Sequence, residues 1–121
     1  MMRPVRILVV DDHPDVRMLL QDLLERASFQ VWTAEDGPLA LHRFAEVRPD
    51  LVILDVWMPG MDGIEVARRI RQSSSVPILF LSAVGTPDLI ARAREVGAEV
   101  FLTKPLSPRA FLSRVYDLVH P

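Results

Sequence analysis

Several residue types and patterns are missing from this chain of 121 residues. It contains no cysteine, which excludes disulfide bonds and thiolate metal sites. The apolar stretch near the amino terminus, Val5 to Val10, is shorter than the core of a secretory signal, and no stretch approaches the length of a membrane span. These absences favour a cytoplasmic protein that does not enter a membrane.

Lysine is also scarce, because Lys104 is the single lysine among 14 basic residues. The formal net charge is −2 and the isoelectric point is near 5.9. The basic surface typical of a domain that binds nucleic acid by itself is therefore not evident, and we expect no direct nucleic-acid binding. This one lysine lies between an apolar run and a proline, and its position there needs a functional explanation.

The composition is that of one globular domain covering residues 1–121. Half of the residues are apolar and 25% are charged, and the length is sufficient to bury a core. The sequence shows no internal repeat, low-complexity tract or linker.

Five short apolar runs alternate with longer segments of helical periodicity, which predicts five strands and five helices. Prolines at the expected helix starts support the alternation, since the first turn of a helix tolerates a missing N–H. Thr86 and Ser107 are expected to cap two of the helices, and the last helix is predicted at about Pro108 to Val119. The predicted strands are Val5–Val10, Phe29–Ala34, Asp50–Asp55, Val76–Leu81 and Glu99–Thr103.

Continuous apolar strands joined by helical crossovers indicate a parallel sheet that is covered on both faces. The predicted fold is therefore a three-layer α/β domain with a doubly wound (βα)5 parallel sheet. We expect the flavodoxin-like strand order 2-1-3-4-5, in which strands 1 and 3 are neighbours. Ligands of such sheets bind beyond the carboxyl ends of the strands, where the strand order reverses. The residues at those ends are thus the first candidates for function.

Polar residues lie at the carboxyl ends of four of the five predicted strands. Asp11 and Asp12 follow strand 1, Asp55 is the last residue of strand 3, Ser82 follows strand 4 and Lys104 follows strand 5. With strands 1 and 3 adjacent, three carboxylates converge, and like charges in such a crevice raise one another's pKa values. Carboxylates and water are the ligands that Mg²⁺ prefers, and three aspartates, one divalent cation and one lysine sum to zero charge.

These residues resemble the receiver domain of bacterial two-component response regulators, and are similar to the single-domain chemotaxis type. The resemblance rests on "VVDDHP", "LVILDVWMPGMDG", "LSA" and "FLTKP" in this order and covers essentially the whole chain. It implies that Asp55 accepts a phosphoryl group and that Asp11 and Asp12 hold Mg²⁺ together with Asp55 and the backbone carbonyl of Trp57.

The resemblance also implies roles at the fourth and fifth strands. Ser82 would bind a phosphoryl oxygen, Lys104 would contact the same group, and the Lys104–Pro105 bond would be cis. Phe101 lies at the position of an aromatic switch residue that turns inward on phosphorylation, together with Ser82. Since Phe lacks a hydroxyl, a switch driven by a hydrogen bond is not expected here.

Two apolar residues at the predicted crevice are expected to modulate the lifetime of the phosphorylated state. Trp57 lies two residues after Asp55, and Val84 lies two residues after Ser82. Alternate residues of an extended segment point to the same side, so both side chains are predicted to cover the approach of water to a phosphoryl group. The alternative for Trp57 is packing on the loop without a kinetic role.

The implied partners are a sensor histidine kinase or phosphotransfer protein and an output domain or output protein. The surface of the fourth helix, fifth strand and fifth helix is the implied output face, and a homodimer through this face is a further option. The domain would promote only its own phosphorylation and dephosphorylation, and would not be an enzyme acting on other substrates.

Other functions fit the same topology. An aspartate-nucleophile phosphatase needs a second aspartate two residues after the first, but that position holds Trp57. A flavodoxin needs a phosphate loop rich in Ser, Thr and Gly after strand 1, but the chain has "DDHPD" there. The strongest alternative is a receiver that has lost phosphorylation and acts only as a binding module.

Simpler interpretations apply to several residues. Any one of the three aspartates alone fits a helix N-cap, and Asp62-Gly63 is a signal for a turn and a helix start. The three histidines lack metal-ligand spacing and are expected at the surface. The arginines of the third and fourth helices are expected on solvated faces; they are Arg68, Arg69, Arg71, Arg92 and Arg94.

Overall fold

A computed structural model describes residues 3–120 and shows strands and helices alternating throughout. The strands are β1 (Arg6–Val10), β2 (Gln30–Ala34), β3 (Leu51–Leu54), β4 (Ile78–Ser82) and β5 (Val100–Thr103). The helices are α1 (Pro14–Arg26), α2 (Gly37–Val47), α3 (Gly63–Arg71), α4 (Pro87–Glu95) and α5 (Pro108–Val119).

The five strands form one parallel sheet in the order β2-β1-β3-β4-β5, as predicted. In β1 and β3, Leu8 pairs with Val52 and Val10 pairs with Leu54. The residues that follow Val10 and Leu54 therefore emerge side by side at the carboxyl edge of the sheet. This register brings the first and third strand ends together although they are more than forty residues apart in sequence.

Local signals account for most helix starts. Prolines occupy the first or second position of α1, α2, α4 and α5. The hydroxyls of Thr86 and Ser107 accept hydrogen bonds from the N–H groups of Leu89 and Ala110, at 3.2 and 3.1 Å. Both predicted caps are confirmed, and each satisfies a backbone donor that the first helical turn leaves without a partner.

Apolar side chains pack on both faces of the sheet. Leu8 and Val10 belong to a cluster with α2, α3 and α4, whereas Ile7 and Val9 belong to a cluster with α1 and α5. Adjacent strand residues point to opposite faces, so a continuous apolar strand supplies both clusters. The three-layer prediction is confirmed. Among residues 3–120, none of the helices meets the length and apolarity needed to cross a bilayer.

Arg71 is an exception to the expectation that the arginines of α3 lie on a solvated face. Its side chain is 20% exposed and pairs with Glu99 at 2.9 Å. The guanidinium also donates to the carbonyls of Val76 and Gly97, at 2.6 and 2.8 Å. Arg71 thus joins the end of α3 to β4 and β5 at the edge of the sheet opposite the aspartates, and its role there is structural.

Candidate functional site

Asp11 and Asp55 lie at the carboxyl ends of β1 and β3 and are almost completely buried. They are 2% and 5% exposed, and the Asp12 side chain is 25% exposed. The N–H of Asp55 donates to the carbonyl of Val10 at 2.9 Å, and that of Asp11 donates to Ala34 at 3.2 Å. The sheet hydrogen bonding therefore continues through both residues and holds the two carboxylates in one crevice.

Lys104 enters the same crevice from the end of β5. Its backbone N–H donates to the carbonyl of Ser82 at 2.7 Å, and the Lys104–Pro105 bond is cis, as expected. The ammonium donates to Asp11 Oδ2 at 2.8 Å and lies 3.7 Å from Asp55 Oδ2. Lys104 is thus hydrogen-bonded to Asp11 and adjacent to Asp55.

The charge on Asp55 is unfavourable in this environment. Burial raises the pKa of its carboxyl, and the negative charge of Asp11 raises it further. The Lys104 ammonium and the backbone N–H groups of Trp57 and Val56 lower the pKa, but they do not cancel the increase. The folded protein thus bears a cost for ionised Asp55 that a bound cation would offset.

This cost predicts that Asp55→Asn stabilises the domain at neutral pH in the absence of divalent ions. Unfolded Asp55 releases its proton at the ordinary pKa and folded Asp55 at a higher one, so stability falls as pH rises between the two values. At pH values above the folded pKa, the full free-energy cost of ionised Asp55 remains. We expect a melting temperature higher by roughly 3–6 °C, the shift that about 1 kcal/mol produces in a domain of this size.

Thermal melts in EDTA at neutral and acidic pH test this prediction. The gain should disappear below the ordinary pKa of aspartate, where both variants are uncharged at residue 55. Asp36→Asn is a suitable control because either residue caps α2. An unchanged or lower melting temperature for Asp55→Asn at neutral pH would contradict the prediction.

The acidic crevice has the composition of a cation site. One ligand atom from each of Asp11, Asp12, His13 and Asp55 lies within 4.8 Å of the others. Asp12 Oδ1 is buried and, within the described part of the chain, lacks a hydrogen-bond partner. A buried carboxylate oxygen without a partner is costly unless a ligand satisfies it. The donors are mainly carboxylate oxygens, which fits Mg²⁺.

The other predicted residues lie on β4 and β5 or in the loops that follow β3 and β4. Ser82 is fully buried, and its hydroxyl accepts a hydrogen bond from the Val84 N–H at 3.3 Å. The side chains of Trp57 and Val84 are 54% and 43% exposed. Phe101 is half-buried, packs against the α2/α3/α4 cluster and lies with its ring centre 6.0 Å from that of Phe80.

His13 is a neighbour of the crevice that the sequence interpretation did not single out. The imidazole is exposed as expected, but Nδ1 lies 3.1 Å from Asp11 Oδ1 and 3.2 Å from Asp12 Oδ1. The sequence did contain a signal for this contact, because His13 directly follows Asp11 and Asp12. Arg17 also contacts this region, since its guanidinium donates to the backbone carbonyl of Asp11 at 2.7 Å.

Known proteins share this sequence and fold. The chain is 41% identical over 114 residues to the transcriptional regulatory protein ResD of Bacillus subtilis (strain 168), covering 94% of this chain and 48% of ResD. It is 44% identical over 111 residues to the alkaline phosphatase synthesis transcriptional regulatory protein PhoP of the same organism, covering 91% and 46%. The chain thus spans about half the length of these curated relatives.

The fold is similar to that of the Vibrio cholerae chemotaxis protein CheY4. The TM-score is 0.92 with 33% sequence identity, covering 96% of this chain and 99% of that one. The profile of the response regulator receiver domain matches residues 7–116, which include the three aspartates, Ser82 and Lys104. By sequence and by fold, this chain belongs to the response regulator receiver domain family of two-component signalling proteins.

Proposed function

We propose that this domain is a phosphoacceptor in which Asp55 receives a phosphoryl group from a histidine kinase or phosphotransfer protein. The observation that carries the proposal is the convergence of Asp11, Asp12 and Asp55 with Lys104 in one crevice. A purely structural role for these groups would leave ionised Asp55 at a cost to the fold, since its pKa is raised.

The proposed step is the attack of an Asp55 carboxylate oxygen on the phosphorus of a phosphohistidine. An oxygen–phosphorus bond forms, the phosphorus–nitrogen bond breaks, and the bonding pair returns to the imidazole of the donor. The transition state spreads negative charge over the equatorial oxygens, so positioning and electrostatic stabilisation are the main requirements. The backbone N–H groups of Val56 and Trp57 favour the ionised carboxylate that makes this attack, since both lower its pKa.

Mg²⁺ bound by Asp11, Asp12 and Asp55, with the Trp57 carbonyl, would supply positive charge for the phosphoryl oxygens. The Ser82 hydroxyl and the Lys104 ammonium would bind two further oxygens. Lys104 lies 3.7 Å from Asp55 Oδ2, so a small movement brings it into contact with an added group. A compact ammonium on a flexible stem follows such a change of charge better than a planar guanidinium, which answers why this position holds lysine.

The proposed output is a change of the face formed by α4, β5 and α5. Ser82 at the end of β4 and half-buried Phe101 on β5 would connect the crevice to that face, which is supported by the pairing of the two strands at Phe80 and Phe101. This face would contact an output domain or an output protein, or a second copy of the chain. The relatives are named as transcriptional regulators and span about twice this length, which supports an output domain.

Phosphorylation by a small phosphodonor tests the function. The domain is incubated with acetyl phosphate, and its intact mass is followed with Mg²⁺ and with EDTA. We expect an added mass of about 80 Da from one phosphoryl group, present with Mg²⁺ and absent with EDTA. No adduct in Mg²⁺ would favour a receiver that acts only as a binding module.

Trp57 is expected to slow the hydrolysis of the phosphorylated form. Its exposed indole belongs to neither apolar cluster of the described residues, so core packing does not account for it. The ring would cover the approach of in-line water without offering that water a polar group. Trp57→Asn should therefore lose phosphate on the order of tenfold faster, a barrier change of about 1.4 kcal/mol.

The measurement is the loss of phosphate from purified phosphorylated domain in Mg²⁺ buffer. Trp57→Phe is the matched control, because it keeps an apolar ring over the crevice and should remain near the wild-type rate. If Trp57→Asn hydrolyses at the wild-type rate or more slowly, the indole is not a shield.

A further inference from the structure

His13 is placed to contribute a ligand to the acidic crevice. It occupies the N-cap of α1, where, within residues 3–120, its side chain makes no capping hydrogen bond. The backbone N–H of His13 donates to Asp11 Oδ1 at 2.9 Å, and this bond fixes residue 13 above the crevice. The imidazole is thus free of the usual task of an N-cap side chain and lies against the carboxylates instead.

The neighbouring oxygen of Asp12 lacks a partner in spite of this imidazole. Asp12 Oδ1 lies 3.2 Å from His13 Nδ1, but the hydrogen bond of this ring nitrogen runs to Asp11 Oδ1. Asp12 Oδ1 is buried and unsatisfied among the described residues. An imidazole nitrogen and a carboxylate oxygen without a hydrogen-bond partner therefore lie side by side. A cation bound to both atoms would satisfy them.

The distances match those between adjacent ligands of a single metal ion. Neighbouring ligands of an octahedral ion bound at about 2.1 Å lie about 3.0 Å apart. The observed separations from His13 Nδ1 are 3.1 Å to Asp11 Oδ1 and 3.2 Å to Asp12 Oδ1. Little rearrangement is needed for Nδ1 to share an ion with a carboxylate oxygen.

We infer that His13 is a nitrogen ligand of the cation site and gives it a preference for divalent ions of the first transition series. Imidazole suits Ni²⁺ far better than it suits Mg²⁺, which keeps oxygen ligands and water, and Mn²⁺ lies between the two. The inference rests on the metal site of the proposed function, but it does not depend on phosphorylation. It adds a fourth side chain to the three aspartates.

Calorimetric titration of the untagged domain with Mg²⁺, Mn²⁺ and Ni²⁺ tests the inference at one mildly alkaline pH. His13→Ala should lower the affinity for Ni²⁺ about tenfold or more, lower that for Mn²⁺ less, and leave that for Mg²⁺ nearly unchanged. His42→Ala is the matched control, because the His42 side chain on α2 is 70% exposed, close to the 65% of His13. This control should bind all three ions like the wild type.

Electron spin echo spectroscopy of the Mn²⁺ complex provides a direct readout of the ligand. Modulation from a bound imidazole nitrogen is expected in the wild type and in His42→Ala, and should disappear in His13→Ala. Since the backbone N–H of His13 makes the bond to Asp11, the alanine variant is expected to fold.

The outcomes separate two failures. If Mg²⁺ binds, Asp12→Asn weakens it, and His13→Ala changes neither the Ni²⁺ affinity nor the nitrogen modulation, the inference about His13 is wrong and the metal site remains. If none of the three ions binds, or Asp12→Asn has no effect on any of them, the metal site of the proposed function fails as well.

Discussion

The phosphate adduct is expected to vanish when Asp55 is replaced by asparagine. The amide has nearly the same shape, but its oxygen is a poor nucleophile and carries no negative charge for a cation to share. Asp55 is 5% exposed at the end of β3, so a neighbouring aspartate cannot take its place without moving the backbone. We therefore expect complete loss.

Intact mass after incubation with acetyl phosphate and Mg²⁺ measures this effect. Asp36→Asn is the matched control, because it also removes a carboxylate that follows a strand, and asparagine caps α2 equally well. The control should give the full adduct of about 80 Da. An undiminished adduct in Asp55→Asn would show that another residue is the acceptor.

A methyl group at Gly63 is expected to disrupt both the fold and the backbone at Asp55 and Val56. Gly63 is the first residue of α3, and its N–H donates to the carbonyl of Val56 at 2.8 Å. A Cβ at this position would overlap the carbonyl oxygen of Asp55 and lie 3.1 Å from the Cα of Val56. These are backbone atoms, which cannot turn aside as a flexible side chain can.

Gly63→Ala should therefore lower the free energy of unfolding by about 2–3 kcal/mol, as overpacking against a rigid neighbour does. Relief of the overlap moves either α3 or the Asp55 loop, so phosphorylation should also slow. Urea unfolding and the rate of adduct formation measure the two effects.

Gly60→Ala is the control for the glycine substitution. Gly60 has a φ of +80°, and a Cβ there would meet none of the described atoms within 4 Å. The expected cost is about 1 kcal/mol from the left-handed backbone alone. Equal costs for the two variants would show that the close approach at Gly63 is unimportant.

The fold was predictable because its signals are local. Apolar runs of strand length, prolines in the first turn and hydroxyls at Thr86 and Ser107 lie within a few residues of the elements they define. Strand boundaries were less certain, since Ser82 belongs to β4 whereas Asp55 lies beyond β3. Where a strand ends depends on pairing with its neighbours, which local sequence does not contain.

The candidate acidic site was also accessible from sequence, through the rule that parallel strands end at one edge of the sheet. Asp11, Asp12 and Asp55 each follow an apolar run, and Lys104 is the single lysine of the chain. Their contacts were not accessible. That the ammonium hydrogen-bonds Asp11 and lies 3.7 Å from Asp55 depends on how the segments that follow β1, β3 and β5 approach one another at the edge of the sheet.

The sequence by itself determined the fold class, the order of elements and the residues at the strand ends, because each follows from composition and periodicity along the chain. Only the tertiary structure decided the roles of His13, Gly63 and Arg71. His13 approaches two carboxylates, Gly63 lies against the backbone of Asp55, and Arg71 binds carbonyls near β4 and β5. These contacts join different segments of the chain, and the hydrophobic pattern of each segment carries no information about the other. The distances between them are fixed only when the helices pack on the sheet.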